Sequence, residues 1–409
     1  MYHGAMNKIE VLTHASKLHD AKQLNALKAG LLAEWRKLAD FKIEEVKKPS
    51  GDALAVILVL TGGVEREVLK TVAQLPSPSI LLAHPGHNSL PASLEILARI
   101  RRDGGSGRIL FGDPSRIVPE LQLELVLANA WKTLRFSRIG LVGEPSEWLI
   151  ASDVDSAFLK GRLAVDLITV DIEELMTRIR SATVSRKELA AFTREAEEIL
   201  GPNPDDIREA VAVYRGLRTL VDEYRLAACS VRCFDLVTDL HTTGCYALSR
   251  LNDEGVPAGC EGDLQALFSL YIGTLLSGKV AFMGNIASIE PESRTIGLAH
   301  CMCPLSMAMH YTVYTHFESN LGIGISGTFP EGAYTMYRLG GERLDHLFVR
   351  EGQLEDTEFR QDLCRTQLRL CVDEPIDELL HAPLGNHHIL IPGHYRTAIE
   401  RFFERHLHA

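Results

Sequence analysis

The stretch Ala55-Val56-Ile57-Leu58-Val59-Leu60, closed by Thr61-Gly62-Gly63, decides the fold class. A continuous apolar run of this length suits a parallel strand covered on both faces, and the glycines then turn it into a helix expected over 65–74. The same unit recurs on either side. Upstream, residues 8–16 read as a strand ending in a polar loop with His14, Ser16, Lys17 and His19, followed by a helix over 21–40 and a short strand near Ile43. Downstream come a strand at 79–83, a helix over 90–102, a strand at 108–111 and a long helix over 115–136. Strands alternating with helices in this way define βαβ units and a parallel, doubly wound sheet.

A second series starts at 138–142, with its next strand at 163–170 and helices over 171–181, 186–200 and 204–226. After Cys229 the texture changes. Strand-like runs at 231–237, 280–285, 295–300, 311–317, 332–338, 344–350, 367–372 and 389–391 come to outnumber helices, and an amphipathic helix over 395–406 closes the chain. That pattern is a β-rich, antiparallel, barrel-like domain. The fold class expected is therefore α/β, with two doubly wound, Rossmann-like N-terminal domains and a β-rich barrel-like C-terminal one. The boundaries fall at 1–137, 138–285 and 286–409.

The 409 residues carry a net charge of −11, with 46% hydrophobic and 24% charged side chains. These proportions describe an ordinary globular protein. Without a basic run, neither nucleic acid nor an anionic membrane surface is an expected partner. No apolar stretch has the length of a membrane span, and the N-terminus lacks the apolar segment of a signal peptide. The five residues Met1-Tyr2-His3-Gly4-Ala5 before Met6 are set aside from the fold argument. Eight cysteines are too few for a disulfide framework and fit a reducing cytoplasm. Neither Cys229-x3-Cys233 nor Cys301-x-Cys303 has the paired spacing of structural zinc, so buried apolar cysteines are expected.

Three segments carry chemistry. Cys260-Glu261-Gly262-Asp263 precedes an apolar helix over 264–276, so Glu261 falls in a first helical turn, where the macrodipole favours a carboxylate. His300 ends an apolar strand and is followed by Pro304. Asn386-His387-His388 opens the last strand, on which the two imidazoles point to opposite faces. Carboxylate with neutral imidazole suits Mn²⁺, Fe²⁺, Co²⁺ or Zn²⁺. Gly322-Ile323-Gly324-Ile325-Ser326-Gly327 fits the dinucleotide fingerprint by letter only, because Thr328-Phe329-Pro330 cannot open the helix that fingerprint needs.

These segments resemble the L-fucose/L-arabinose isomerase superfamily. The resemblance is carried by the runs 252–263, 297–308 (GLAHCMCPLSMA) and 385–395 (GNHHILIPGHY), and by His316-Phe317-Glu318-Ser319. It implies a Mn²⁺-dependent aldose–ketose isomerase working through an ene-diolate. By that resemblance Glu261 is the metal-binding catalytic carboxylate, His387 the C-terminal metal ligand, and His300 a His on metal or substrate. A second acidic ligand is expected in Phe282-Met283-Gly284-Asn285-Ile286, where this chain has Asn285. Its amide oxygen still ligates a cation but accepts no proton. Glu318 and Glu331 are the stand-in carboxylates.

Substrate contacts are expected from Lys17, His19, His87, Asn88 and Glu318. The loops at 16–19 and 84–89 are read as completing a neighbour's pocket in a homo-oligomer. The sugar is expected to be a hexose or pentose, and an anionic or sulfonated one such as sulfoquinovose is favoured over plain fucose or arabinose. The rival reading is a non-catalytic sugar-binding or regulatory homologue that has lost a metal carboxylate.

Overall fold

The computed structural model describes residues 6–355 and 359–408; residues 1–5, set aside above, lie outside it. The chain forms two compact units, 1–129 and 130–409.

Unit 1 contains β1 (Lys8–His14), α1 (Ala21–Leu38), β2 (Lys42–Glu45), β3 (Leu54–Val59), α2 (Glu65–Val72), β4 (Ser79–Ala83), α3 (Ser89–Arg102), β5 (Gly107–Phe111) and most of α4 (Pro114–Leu134). Its five strands are all parallel, in the order β2-β1-β3-β4-β5. The expected apolar run is β3, flanked on both sides and buried over 56–59. Alternate residues feed two cores: Val56 and Leu58 pack with Trp35 and Phe41, while Ile57 and Val59 pack with Val68 and Ile96. A sheet covered on both faces needs both sets, and each such side chain contributes about 1.5–3 kcal/mol on burial. The strand order reverses between β1 and β3, so a crevice opens at their carboxyl ends, the usual ligand position in such sheets.

Unit 2 begins with β6 (Arg138–Val142). A short helix α5 (Ser156–Phe158) leads into a π turn, followed by β7 (Asp166–Val170), α6 (Ile172–Ser181), α7 (Arg186–Glu195), β8 (Glu198–Leu200) and α8 (Pro204–Tyr224). Next come β9 (Ala228–Val231), α9 (Phe234–Leu240), α10 (Cys245–Asp253), β10 (Ala258–Cys260) and α11 (Leu264–Ser277). Strands β10-β9-β6-β7 form a second parallel sheet. The remainder is β11 (Phe282–Glu290), β12 (Thr295–His300), β13 (His310–Tyr314), β14 (Gly324–Thr328), β15 (Gly332–Gly340), β16 (His346–Glu355), β17 (Thr366–Val372), α12 (Glu378–His381), β18 (His387–Pro392) and α13 (Arg396–His406). Six strands close into an antiparallel barrel, β11-β12-β17-β16-β15-β18.

α11 joins the second sheet to the barrel. Most of its residues are buried, and it packs on β9 and β10 as well as on β15 and β18. A helix apolar all round belongs inside a core.

Several local expectations are corrected. The run at 231–237 is not a strand: β9 ends at Val231 and α9 occupies most of the remainder. The helix expected over 186–200 stops at Glu195, and Glu198–Leu200 is a strand paired with β13. The glycine-rich segment at 322–327, expected to open no helix, runs into β14.

Candidate active site

The site residues come from both layers of unit 2. Glu261 follows β10 directly, at the carboxyl edge of the second parallel sheet. Asn252 braces that short strand: its side chain donates to the carbonyls of Leu248 and Ala258 and accepts from the Ala258 N–H. Glu261 and Gly262 then take successive left-handed conformations, φ +63° and +73°. Glu261 therefore sits in the turn before α11 and not in its first helical turn; the N-cap is Asp263, whose side chain accepts from the Ala266 N–H. Only glycine fits at 262, where a Cβ would lie 2.8 Å from Pro145 Cα and 2.9 Å from the Glu144 carbonyl oxygen.

The barrel supplies the imidazoles and the amide. β11 lies between β12 and β18, with Asn285 opposite both Ala299 and His387. His300 is the next residue on β12, and its ring centroid is 5.7 Å from that of His387. Alternation on β18 separates the two neighbouring imidazoles. His387 turns toward Glu261, with Nε2 at 3.9 Å from Oε1, while His388 packs edge-on against Phe348.

Behind His387 stands a buried ionic group. Its Nδ1 is 2.9 Å from Asp263 Oδ2, and Arg338 reaches the same carboxylate at 3.3 Å. Arg338 is fully buried and also donates to Ser152 Oγ, Gln265 Oε1 and the carbonyls of Leu384 and His387. Burial alone would raise the Asp263 pKa, but the His387 bond and the Arg338 charge prevail and hold it down at about 2. Burial pushes His300 down to about 3, so it is neutral at physiological pH.

Glu261, Asn285, His300, His316 and Glu318 line one small cavity with Cys233, Cys245, Cys260, Cys301 and Cys364. Its free volume is about 50 Å³, room for a few waters. His316 and Glu318 are on no strand: His316 is buried beside Phe234, with Nδ1 at 3.2 Å from Ser319 Oγ. Glu331 lines a different cavity, with Met309 and Phe359, and is not a stand-in carboxylate here.

The remaining expected residues belong to unit 1. His19 and Asn88 line the crevice at the carboxyl end of the first sheet, with Ser16 and Gly62, and the His19 and His87 rings meet edge to face at 5.2 Å. Lys17 lies in the same loop, exposed. Asp263, Arg338 and Trp148 received no role from the sequence. Asp263 and His387 are 124 residues apart, and only the fold joins them.

A divalent cation finds suitable donors here. His387 Nε2 is buried with no hydrogen-bond partner among the described residues, aimed at Glu261, while a carboxylate fixes its other nitrogen. A metal-bound imidazole is usually held in this way, its other ring nitrogen bonded to a carboxylate. Among the described residues no three His, Cys, Asp or Glu side chains form a ready-made metal site. An ion held by Glu261 and His387 would thus draw on the Asn285 amide, water or substrate oxygens as well.

The class defined by this fold and site is an α/β protein with a carboxylate–imidazole centre set between a parallel sheet and an antiparallel barrel. No family model matches the chain. It is similar to curated proteins named sulfoquinovose isomerase. Identity is 23% over 317 residues with that of Alkalicoccus urumqiensis, covering 74% of this chain and 71% of the relative. With that of Priestia megaterium it is 24% over 302 residues, 69% and 66% of the two chains. With that of a Clostridium species it is 28% over 244 residues, 56% and 54%.

Proposed function

We propose that this chain is an enzyme, an aldose–ketose isomerase whose site is the cavity around Glu261. Its proposed substrate is a hexose or pentose, with a sulfonated hexose such as sulfoquinovose first in line. The observation that carries the reading is the approach of Glu261 Oε1 to the unpartnered His387 Nε2 at 3.9 Å, with Asp263 behind the imidazole.

Isomerisation moves a proton between two adjacent carbons through an ene-diolate, and the C–H bond is a weak acid. A divalent cation such as Mn²⁺, when bound, supplies the charge that stabilises the ene-diolate oxygens. Glu261 and His387 would hold it, assisted by Asn285 and His300. Asp263 keeps the proton of His387 on Nδ1, which leaves the Nε2 lone pair free to ligate. Asn285 accepts no proton at neutral pH, so proton movement falls to carboxylates. Among the described residues, Glu261 and Glu318 are the carboxylates that line the cavity. No Lys or Arg is among the described residues lining it, so the counter-charge for a sulfonate has to come from outside.

The test is direct. Metal-stripped protein, reloaded with Mn²⁺, Co²⁺ or Fe²⁺, is incubated in D₂O with sulfoquinovose, fucose and arabinose. Ketose carrying deuterium next to the new carbonyl is expected from at least one. No ketose and no exchange with any sugar would sink the reading. The neutral Asn285 favours a second reading, a sugar-binding homologue, whose sign would be saturable sugar binding without turnover.

A further inference from the structure

We propose that Trp148 is the positioning residue of Glu261, its indole N–H fixing one carboxylate oxygen so that the other faces His387. Trp148 Nε1 donates to Glu261 Oε2 at 2.6 Å, a short bond to a charged acceptor. The remaining oxygen, Oε1, is the one that approaches His387 Nε2. The two oxygens of one carboxylate are thereby divided between a fixed donor and the centre.

The loop that carries Trp148 is built to hold this geometry. The Ser146 N–H donates to the Glu261 carbonyl, and the Gly262 turn closes on Glu144 and Pro145. Arg232 grips the loop from the far side, donating to the Pro145 carbonyl at 3.3 Å and to Asp235 at 2.9 Å, with Glu147 at 3.7 Å. The indole rests edge-on against Phe234 at 5.0 Å, and Phe234 lines the cavity. Trp148 is nevertheless 55% exposed, an uncommon cost for an indole that serves packing alone. A left-handed backbone at Glu261 limits where its side chain can point, and the indole selects among the remaining orientations.

The experiment uses the full chain labelled with ¹⁵N at the tryptophan indoles. Three indole signals are expected from its three tryptophans, and W148F identifies one by its loss. Replacing Glu261 (E261Q and E261A) should move that signal and leave the other two in place. W148F keeps a ring on Phe234 but removes the N–H. It should weaken Mn²⁺ binding by calorimetry, and lower kcat, by roughly tenfold each, the effect of one hydrogen bond to a charged group. KM and the melting temperature should hardly change, and W148A should weaken metal binding no further than W148F. A Trp148 signal indifferent to Glu261, or a W148F chain that binds Mn²⁺ and turns over like the parent, overturns the assignment. Only the kcat readout rests on the proposed reaction. A parent chain that isomerises no sugar removes that reading, while the indole signal and the metal titration still decide the role of Trp148.

Discussion

The carboxylate of Asp263 caps α11, orients His387 and neutralises Arg338 from a fully buried position. Asp263→Asn keeps the shape and the cap but removes the charge. It should weaken Mn²⁺ binding about 10–100-fold, the usual effect of losing a carboxylate behind a ligating imidazole. It also leaves Arg338 buried without its counter-ion, at a cost of about 3–5 kcal/mol. Metal titration and urea unfolding of the same variant separate the two effects. Asn285→Asp runs the other way: a charge added beside Glu261 and His387 should tighten Mn²⁺ binding, and unchanged affinity by titration calorimetry would place Asn285 outside the metal's reach. At this scale the sequence was half legible. Glu261 and His387 stood out by motif, and the structure brings their side chains together. Asp263 lies two residues after Glu261, but its partners are 75 and 124 residues away. Nothing local distinguishes a helix cap from the support of a distant imidazole.

Elements were legible where local pattern and packing agree. The apolar run of β3 reads as a parallel strand because helices cover both of its faces, and β12 matches its expected span because alternation on a barrel strand is local. The failures have physical reasons. Glu198–Leu200 has no strand signal of its own and becomes a strand through β13, more than 100 residues on. Glu261 reads from the sequence as part of a first helical turn because a left-handed Glu is rare, and the structure puts it in the turn before α11. That turn makes a prediction. Gly262→Ala puts a methyl against the backbone of Glu144 and Pro145 at a left-handed position. About 1–3 kcal/mol of stability should be lost, with Glu261 displaced and Mn²⁺ affinity reduced. A variant as stable as the parent in urea would show that the loop yields freely.

For the whole molecule, acid is the informative stress. Burial, then the Arg338 charge, pushes His388 down to about 3, and burial, then the Arg405 charge, does the same to His406 where it stacks on Trp131. An unfolded imidazole takes its proton near pH 6.5. Both folded imidazoles refuse it until about 3, so the unfolded chain binds more protons between those limits. Their contribution is complete above about pH 6.5 and is lost as pH falls toward 3. The carboxyl of Asp263, held at about 2, loses its own contribution lower still, from about 4 downward. The urea midpoint should therefore be lower at about pH 5 than at about pH 7.5, and H388Q should flatten the difference. A midpoint equal at both values would contradict this linkage.

Assembly belongs to the same scale. The loops at 16–19 and 84–89 carry His19, His87 and Asn88 around the crevice of the first sheet, with Lys17 exposed beside them. We expect a closed homo-oligomer, trimers paired into a hexamer, in which these loops serve a neighbour's cavity and supply the cation that a sulfonate needs. Lys17→Ala should then lower turnover of a sulfonated sugar without changing metal content. A monodisperse monomer that still turns over sugar, by light scattering and assay together, would refute the shared site.

The cavity has one further consequence, which concerns what can poison it. Five thiol-bearing residues line it beside Glu261, and the Cys233 and Cys260 sulfurs are 2.6 Å apart. Hard oxygen donors and imidazoles suit Mn²⁺, while clustered sulfur is the environment that mercury, cadmium and cuprous ions prefer. The same small space thus sets soft sulfur beside harder oxygen and imidazole donors. A mercurial should therefore attack these sulfurs within the cavity, beside Glu261, and a mercurial that leaves the thiols of the folded chain untouched would show that the cavity is closed to it.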